Sequence, residues 1–336
     1  MKTIILTGGG TAGHIIPNLA LVPELRKYFD SIHYFGGNGM EENLVTNAGI
    51  PFHKTTVVKF DRSKIFSNLK IPFLLQKGIN EAKELITFIK PDVVFSKGGY
   101  AALPVCFAAK KLGIPVVCHE SDYTLGLANK IVSSFAAKTL TSFPETKGGI
   151  YVGSPVREEF YSKKPSYCEV PNMDARKKTL LVCGGSLGSS AINNVIYSVL
   201  PVLLKNYNVI HISGKTGDFN VKRNNYYQCS YAPDFPALMR RADLVICRAG
   251  SNTLFEAAAT GIRCIAIPLP KGASRGDQIL NAKSFEKHGY CEVLPQEKLC
   301  PETLLSKIEA IWHKTPQVLD VLQINEKIVK HILSVI

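Results

Sequence analysis

The chain begins the same structural pattern twice. A continuous apolar run, Thr3–Thr7, enters a glycine turn at residues 8–10, and a second run, Thr179–Cys183, enters another at residues 184–185. An unbroken apolar run that ends at glycine is typical of a strand buried on both faces of a parallel sheet. The repeat therefore predicts two α/β domains, and 336 residues are enough for each to bury its own core.

The rest of the chain has the same alternation. Short β-branched runs are separated by helix-length segments, as in parallel sheets. Further strands are predicted at Ser31–Phe35, Asp92–Phe95, Pro115–His119, Asn208–Ile212, Leu244–Cys247 and Arg263–Ile267. A basic, proline-punctuated stretch over residues 155–178 predicts the crossing between domains. Helical spacing from Pro301 and again from Val318 to Ile336 predicts terminal helices, the last of which could pack on the first domain.

Composition narrows the function classes. Lys and Arg exceed Asp and Glu by 40 to 27, and the net charge of +13 favours phosphate-rich ligands, nucleic acid or an anionic membrane. No basic stripe with interleaved aromatics occurs, so we do not expect nucleic-acid binding. Nine scattered cysteines without a Cys-x-x-Cys pair indicate buried thiols in a reducing compartment. The apolar run at the amino terminus is too short for a signal peptide, and no segment approaches membrane-spanning length.

The first glycine turn matches the dinucleotide fingerprint G-x-G-x-x-G from Gly8 to Gly13 and ends at His14. A nicotinamide or flavin enzyme would also carry an acidic residue at the end of the second strand, to bind a ribose. Here that strand runs into Gly36-Gly37-Asn38. The missing carboxylate disfavours an oxidoreductase.

The second domain carries two polar turns of this kind. One is Gly184–Ser190, and the other is Arg248–Thr253, which follows the predicted strand Leu244–Cys247. Backbone N–H groups at such turns bind anions, so two of them on one sheet edge predict a diphosphate ligand. Glu256 follows in a helix that Ser251 or Asn252 is predicted to cap, where it could bind ribose hydroxyls or simply complement the helix dipole.

Together these segments resemble the MurG family, which transfers N-acetylglucosamine from UDP-N-acetylglucosamine to undecaprenyl-diphospho-muramoylpentapeptide. The segments that carry the resemblance are Gly9–His14 with Pro17, Ser96–Tyr100, His119-Glu120, Gly126–Lys130, Gly184–Gly188, Arg248–Glu256, Asp277-Gln278 and Asn281-Ala282. The resemblance implies the GT-B fold, an α/β fold of two Rossmann-like domains whose parallel sheets face each other across an interdomain groove. The domains expected are 1–157 with a helix at about 320–336, facing acceptor and membrane, and 158–319, binding the UDP-sugar.

The resemblance also implies site residues. Ser186 and the Ser251–Thr253 helix start are expected near the diphosphate, Glu256 at the ribose, and Gln278 at the sugar. Ala232 is expected to hold uracil through its backbone. The full set of expected substrate-binding residues is Thr11, Ala12, Gly13, Tyr100, Arg157, Ser186, Ala232, Ser251, Asn252, Thr253, Glu256, Asp277 and Gln278. Asp277 could also be a helix cap.

The expected mechanism uses neither a cofactor nor a bound metal. The chain contains no Asp-x-Asp, and helix amino termini with Arg or Lys can stabilise a departing diphosphate instead. His14 suits the base that deprotonates the acceptor, although it could equally bond backbone or phosphate, and Glu120 and Asp122 are alternative bases. The resemblance implies inversion at the anomeric carbon. Ala12 and Ser121-Asp122 depart from the family pattern, which has glycine and Gln-Asn there.

A basic apolar segment, Lys64–Lys77, is typical either of a membrane-surface contact or of a core helix with a solvated lysine face. Given a polyprenyl acceptor, we expect peripheral binding at the cytoplasmic face of the cell membrane, with other cell-wall synthesis proteins as partners. The rival hypotheses are a nucleotide-sugar epimerase of the same two-domain build, the nicotinamide oxidoreductase, and a nucleic-acid binder.

Overall fold

A computed structural model describes residues 1–57, 71–162, 169–185, 187–219, 221–272 and 276–336. The chain divides into two compact units. Unit 1 comprises Met1–Arg157 and Val321–Ile336, and unit 2 comprises Glu158–Asp320. The division falls in the segment that the sequence marks as the crossing.

Unit 1 is built on a parallel sheet. Its described strands are β1 (Thr3–Thr7), β2 (Ser31–Gly36), β3 (Phe52–Lys54), β4 (Val93–Ser96), β5 (Val116–Glu120), β6 (Lys138–Thr141) and β7 (Ile150–Tyr151), in the order β3-β2-β1-β4-β5-β6-β7. Its helices are α1 (Ala12–Leu25), α2 (Met40–Asn47), α3 (Ile71–Ile89), α4 (Ala102–Lys111), α5 (Leu127–Ser133) and the carboxyl-terminal α11 (Val321–Leu333). Every described strand pair in this sheet is parallel.

Unit 2 repeats the arrangement. Its described strands are β8 (Lys178–Cys183), β9 (Tyr207–Ile212), β10 (Tyr226–Cys229), β11 (Leu244–Cys247), β12 (Arg263–Ala266) and β13 (Glu292–Val293), in the order β10-β9-β8-β11-β12-β13. Its helices are α6 (Ser190–Asn206), α7 (Phe235–Arg241), α8 (Ser251–Thr260), α9 (Asp277–Lys287) and α10 (Pro301–Ile311). All described pairs are again parallel.

The central strands are buried because helices cover both faces of each sheet. Ile4, Ile5 and Leu6 of β1 are fully buried, as are Leu180 to Val182 of β8. Such burial accounts for the continuous apolar runs in the sequence. In unit 2, α6 and α10 pack on the sheet through Ile196 and Ile308. The predicted α/β class with two parallel sheets is confirmed.

The terminal helices pack on different units. α10 belongs to unit 2, while α11 returns to unit 1, where it contacts α1. Gly153, with φ +93°, lies so close to Ile324 of α11 that a Cβ there would approach the Ile324 side chain to 2.6 Å. No helix in the described part of the chain is both long and apolar enough to cross a bilayer.

Candidate active site

In both sheets the strand order reverses beside the strand that begins the unit. The chain builds outward from β1 to β3 and then crosses to β4; in unit 2 it builds from β8 to β10 and crosses to β11. Ligands of doubly wound sheets bind at the carboxyl ends of the strands at such a reversal. The glycine turns after β1 and β8 therefore lie where a binding site is expected.

The first glycine turn is held by buried polar side chains of unit 1. The Tyr34 hydroxyl donates to the Gly8 carbonyl at 2.6 Å, and the Asn18 amide donates to the Thr7 carbonyl at 3.1 Å. On the β4 side, a Cβ at Gly99 would overlap the Gly9 carbonyl oxygen. The turns after β1 and β4 thus pack directly against each other, and Tyr100 follows half-buried.

His14 lies in the first turn of α1. Thr11 precedes the helix as its N-cap, and its hydroxyl lies 3.1 Å from His14 Nδ1, while its carbonyl accepts the His14 N–H. Ala12 and Gly13 are half-buried between them. The imidazole is half-buried, and Thr11 holds one of its ring nitrogens. This geometry is compatible with a base and with a structural histidine alike.

Sequence reasoning missed Glu41 in the first turn of α2. Its carboxylate is 5% exposed, and Oε1 accepts the Gly10 N–H at 2.9 Å. In a dinucleotide site, phosphate would face the N–H groups of this turn. A carboxylate already bonded there is a second argument, beside the missing ribose acid, against a nicotinamide or flavin site. No signal in the sequence distinguishes Glu41 from its neighbour Glu42.

Glu120 and Asp122 follow β5. The buried Glu120 carboxylate accepts the N–H of Asp122 at 3.0 Å, the N–H of Gly126 at 2.8 Å and the Asn129 amide at 2.8 Å. A carboxylate that already accepts three hydrogen bonds from its own surroundings has little acceptor capacity left for a substrate hydroxyl. This favours a structural role for Glu120, whereas Asp122 is half-buried and accepts none of these bonds.

Beside them lies Lys97, a lysine with no exposed surface. Its Nζ is 2.6 Å from His119 Nδ1, and His119 Nε2 is 2.8 Å from the Gly153 carbonyl oxygen. Since only an N–H can bond a carbonyl, Nε2 carries the proton and Nδ1 accepts from Lys97. Burial lowers the pKa of Lys97 to about 7 against the opposing effect of Glu120 and Asp122. Burial and Lys97 hold the pKa of His119 well below its usual value.

The edge of unit 2 is organised by Arg248, which follows β11 and is 9% exposed. Its guanidinium donates to Ser189 Oγ and Gln296 Oε1, both at 2.6 Å, and to the Ile267 carbonyl at 3.2 Å. All of these acceptors are neutral, and burial lowers the pKa of Arg248. Ser189 is also the N-cap of α6. A buried cation and a helix amino terminus therefore adjoin the second glycine turn.

Helix α8 begins at Ser251, so the residue that caps it lies before both residues predicted for that role. Gly250 is the N-cap, so the prediction that Ser251 or Asn252 caps the helix is wrong. Both lie in its first turn with Thr253, where backbone N–H groups have no helical partner. Glu256 is the sixth residue of the helix and is half-buried. A carboxylate that caps the helix would lie about one turn nearer its amino terminus.

Helix α9 places two further candidates at this edge. Its N-cap is Gly276, in a left-handed conformation, so the buried Asp277 is the first helical residue and not a cap. The Gln278 side-chain oxygen accepts the Leu269 N–H at 3.0 Å. This bond fixes the orientation of the amide. Its NH₂ group is a hydrogen-bond donor, which suits a contact with a sugar hydroxyl. The Asn281 amide reaches the Ala249 carbonyl at 3.3 Å, which joins α9 to the turn after β11.

Three of the predicted site residues remain to be located in the structure. Ala232 lies in the loop after β10, and Arg157 is the last residue of the first segment of unit 1. Ser186 lies outside the described residues. Within the described ranges, no group of three or more His, Cys, Asp or Glu side chains is arranged to hold a metal ion.

Two Rossmann-like units with glycine turns at the carboxyl ends of their strands are the build of a nucleotide-binding protein, and family models give the class as a glycosyltransferase. Residues 4–141 match the glycosyltransferase family 28 N-terminal domain and residues 179–331 match its C-terminal domain. The chain belongs to glycosyltransferase family 28 and, within it, to the MurG family.

Individual relatives match over almost their whole length. A UDP-N-acetylglucosamine--N-acetylmuramyl-(pentapeptide) pyrophosphoryl-undecaprenol N-acetylglucosamine transferase of Clostridium novyi is 44% identical over 322 residues, which cover 92% of this chain and 90% of the relative. The enzyme of the same name from Geobacillus thermodenitrificans is 43% identical, covering 93% and 91%.

Solved structures share the fold. Acinetobacter baumannii MurG aligns with a TM-score of 0.73 at 24% identity, covering 99% of this chain and 100% of that one. A UDP-GlcNAc 2-epimerase from Neisseria meningitidis, bound to UDP-GlcNAc, aligns with a TM-score of 0.66 at 13% identity, covering 99% and 100%. At 24% and 13% identity, these two structures are evidence for the fold of this chain and not for its activity.

Proposed function

We propose that this glycosyltransferase moves N-acetylglucosamine from UDP-N-acetylglucosamine to N-acetylmuramyl-(pentapeptide) pyrophosphoryl-undecaprenol, with inversion, in peptidoglycan synthesis. The observation that carries the proposal is 43–44% identity, over more than nine-tenths of the chain, to relatives named for that reaction. Transfer of labelled sugar from several UDP-sugars to the lipid acceptor tests it. We expect transfer from UDP-N-acetylglucosamine, and UDP release only when the lipid is present.

An epimerase is the alternative with an observation in its favour, since a UDP-GlcNAc 2-epimerase shares the fold. It would act on UDP-N-acetylglucosamine without any acceptor. The assay separates the two activities, because a change in the sugar's configuration in the absence of lipid would identify the epimerase.

We place the donor in unit 2. Arg248 is a buried cation with neutral partners, and the starts of α6 and α8 adjoin it, so a diphosphate would meet positive charge and unpaired N–H groups. Ser186 and Ser251–Thr253 would line the diphosphate, Ala232 the uracil, Glu256 the ribose, and Asp277 and Gln278 the sugar. Tyr100 and Arg157 would bind substrate from unit 1.

Glu256→Ala tests the donor assignment. Loss of a hydrogen bond to a charged group costs about 1.5–3 kcal/mol, so the Kd for UDP should rise about 10- to 100-fold. Glu309→Ala, which removes an exposed carboxylate from α10 of the same unit, is the matched control and should bind UDP as the unaltered protein does. An unchanged Kd in Glu256→Ala would exclude the ribose contact.

We propose His14 as the base that takes the proton from the attacking hydroxyl. It lies in the first turn of α1, and Thr11 holds Nδ1. His14→Ala should lower kcat by about 10²- to 10⁴-fold with the Kd for UDP unchanged. Asp122→Asn is the comparison. If Asp122→Asn stops turnover and His14→Ala does not, Asp122 is the base.

We also propose that unit 1 binds an anionic membrane surface, at the cytoplasmic face of the membrane, where other cell-wall synthesis proteins would be met. Of the segment predicted for this contact, Lys64–Lys77, residues 64–70 lie outside the described residues. Its continuation, α3, exposes Phe73 by 75% and Phe88 by 87%, next to the exposed Lys77 and Lys90. Apolar side chains with flanking lysines suit an interfacial contact. Flotation with anionic but not neutral liposomes is expected, and Phe73→Ser should weaken it.

A further inference from the structure

The carboxylate of Glu41 packs against glycines from two segments of unit 1, where a larger residue would overlap it. A Cβ on Gly9, in the turn after β1, would overlap Glu41 Oε1, and a Cβ on Gly39 would lie 2.6 Å from Oε2. At Gly9 and Gly39 any other residue would displace the carboxylate, so the two turns are shaped around it.

The contact leads directly to His14. Gly10, whose N–H bonds Glu41, has φ +87°, a left-handed conformation that glycine adopts readily but does not hold without a further contact such as this bond. Thr11 follows immediately as the N-cap of α1, and its hydroxyl and carbonyl contact the His14 ring and N–H. Glu41 therefore bonds the residue that immediately precedes Thr11, the residue that contacts His14.

We propose that Glu41 is a positioning residue for glycosyl transfer: its carboxylate holds the turn at Gly10 and thereby orients Thr11 and His14 toward the reacting groups. The inference rests on the proposed function. Glu41 acts through the turn and not on the substrate, since it is buried and bonded to backbone. A carboxylate accepts a stronger hydrogen bond than a neutral oxygen does, which suits a turn made of flexible glycines.

The test compares Glu41→Ala, Glu41→Gln and Glu42→Ala. Glu42 is the next residue of the same helical turn but is exposed, so its removal controls for loss of charge near the start of α2. Because a displacement of about 1 Å costs about 10²-fold in rate, Glu41→Ala should lower kcat by about that factor. The Kd for UDP-N-acetylglucosamine should stay within about twofold. Glu41→Gln keeps an acceptor oxygen and should recover about tenfold of the loss.

A second variant and a second measurement distinguish the loss of a positioned His14 from a general folding defect. Gly9→Ala leaves the carboxylate in the chain but pushes it from Gly10, and it should lower kcat as Glu41→Ala does. The NMR signals of the His14 ring should shift in Glu41→Ala and not in Glu42→Ala, whatever reaction the enzyme performs. A protein without transferase activity whose His14 signals still shift would therefore contradict the proposed function and support the positioning role.

The proposal is overturned by any of three results. These are unaltered kcat in Glu41→Ala, unaltered His14 signals in that variant, or an equal loss in Glu41→Ala and Glu41→Gln that is accompanied by weaker donor binding. The last would make Glu41 part of the general scaffold.

Discussion

Lys97 is the residue whose surroundings differ most from those of an ordinary member of its type. Its ammonium group is wholly buried, and Nζ bonds a neutral imidazole, with the Glu120 and Asp122 carboxylates nearby. Burial disfavours the charged form, which is why its pKa falls to about 7. The unfolded chain, with a lysine pKa of about 10.4, binds more protons between these two values. Stability attributable to this group therefore rises as pH rises from 7 toward 10.

Lys97→Met tests this linkage. The variant should gain stability relative to the unaltered protein at pH 7, because methionine carries no charge to bury, less about 1 kcal/mol for the lost bond to His119. The gain should shrink by on the order of 2 kcal/mol between pH 7 and pH 9. Urea unfolding at both values measures it, with the exposed Lys83→Met of α3 as control. A difference that does not vary with pH would mean that Lys97 keeps its ordinary pKa in the folded protein.

Among the elements, α11 most directly joins distant parts of the chain, since it completes unit 1 from the carboxyl end. Ile328 is fully buried on this helix, while Leu322 on the same helix is 62% exposed. Ile328→Ala should lower the free energy of unfolding by about 2–5 kcal/mol, as buried isoleucine truncations do. Leu322→Ala should change it by less than about 0.5 kcal/mol. Denaturant unfolding monitored by circular dichroism measures both, and equal effects would show that α11 does not pack on unit 1 as described.

The elements that sequence reasoning predicted are those with a strong local pattern. The central strands, such as Leu244–Cys247, are continuous apolar runs and were predictable to within a residue or two. The short strands β3, β6, β7, β10 and β13 were not predicted, because runs of two to four residues carry little periodicity. The caps of α8 and α9 are glycines, whose role depends on backbone geometry and not on a side-chain acceptor.

The candidate site, like the elements, has some features that the sequence predicts and others that it does not. The glycine turns and their place at a reversal of strand order follow from the sequence, since parallel strands bring their carboxyl ends to one edge. The contacts of Glu41 with Gly10, of Lys97 with His119 and of Arg248 with Gln296 join residues 22 to 48 positions apart. No local pattern encodes such pairs, so they could be found only in three dimensions.

At the scale of the whole molecule, two units of one architecture carry different sets of buried charged side chains at equivalent edges. In unit 1 the edge holds the carboxylates of Glu41 and Glu120 bonded to backbone N–H groups. In unit 2 the equivalent edge holds Arg248 bonded to neutral oxygens. A diphosphate is attracted to a buried cation whose partners are neutral, whereas the buried cation of unit 1, Lys97, lies beside the carboxylates of Glu120 and Asp122. The fold alone would allow a nucleotide in either unit, and this difference is the reason that we propose unit 2 for the donor.

This difference leads to a prediction about the intact protein in the presence of UDP. Arg248 and the helix starts supply the positive charge that a diphosphate needs, so binding should not require a divalent ion. UDP at about 100 times its Kd should stabilise the folded protein by about 2.7 kcal/mol, equally with EDTA and with magnesium. Arg248→Met should lose most of this stabilisation in both conditions, whereas the exposed Arg223→Met, elsewhere in unit 2, should retain it. Thermal unfolding measured over a range of UDP concentrations gives the comparison, and stabilisation that appears only with magnesium would show that a metal ion, and not Arg248, neutralises the diphosphate.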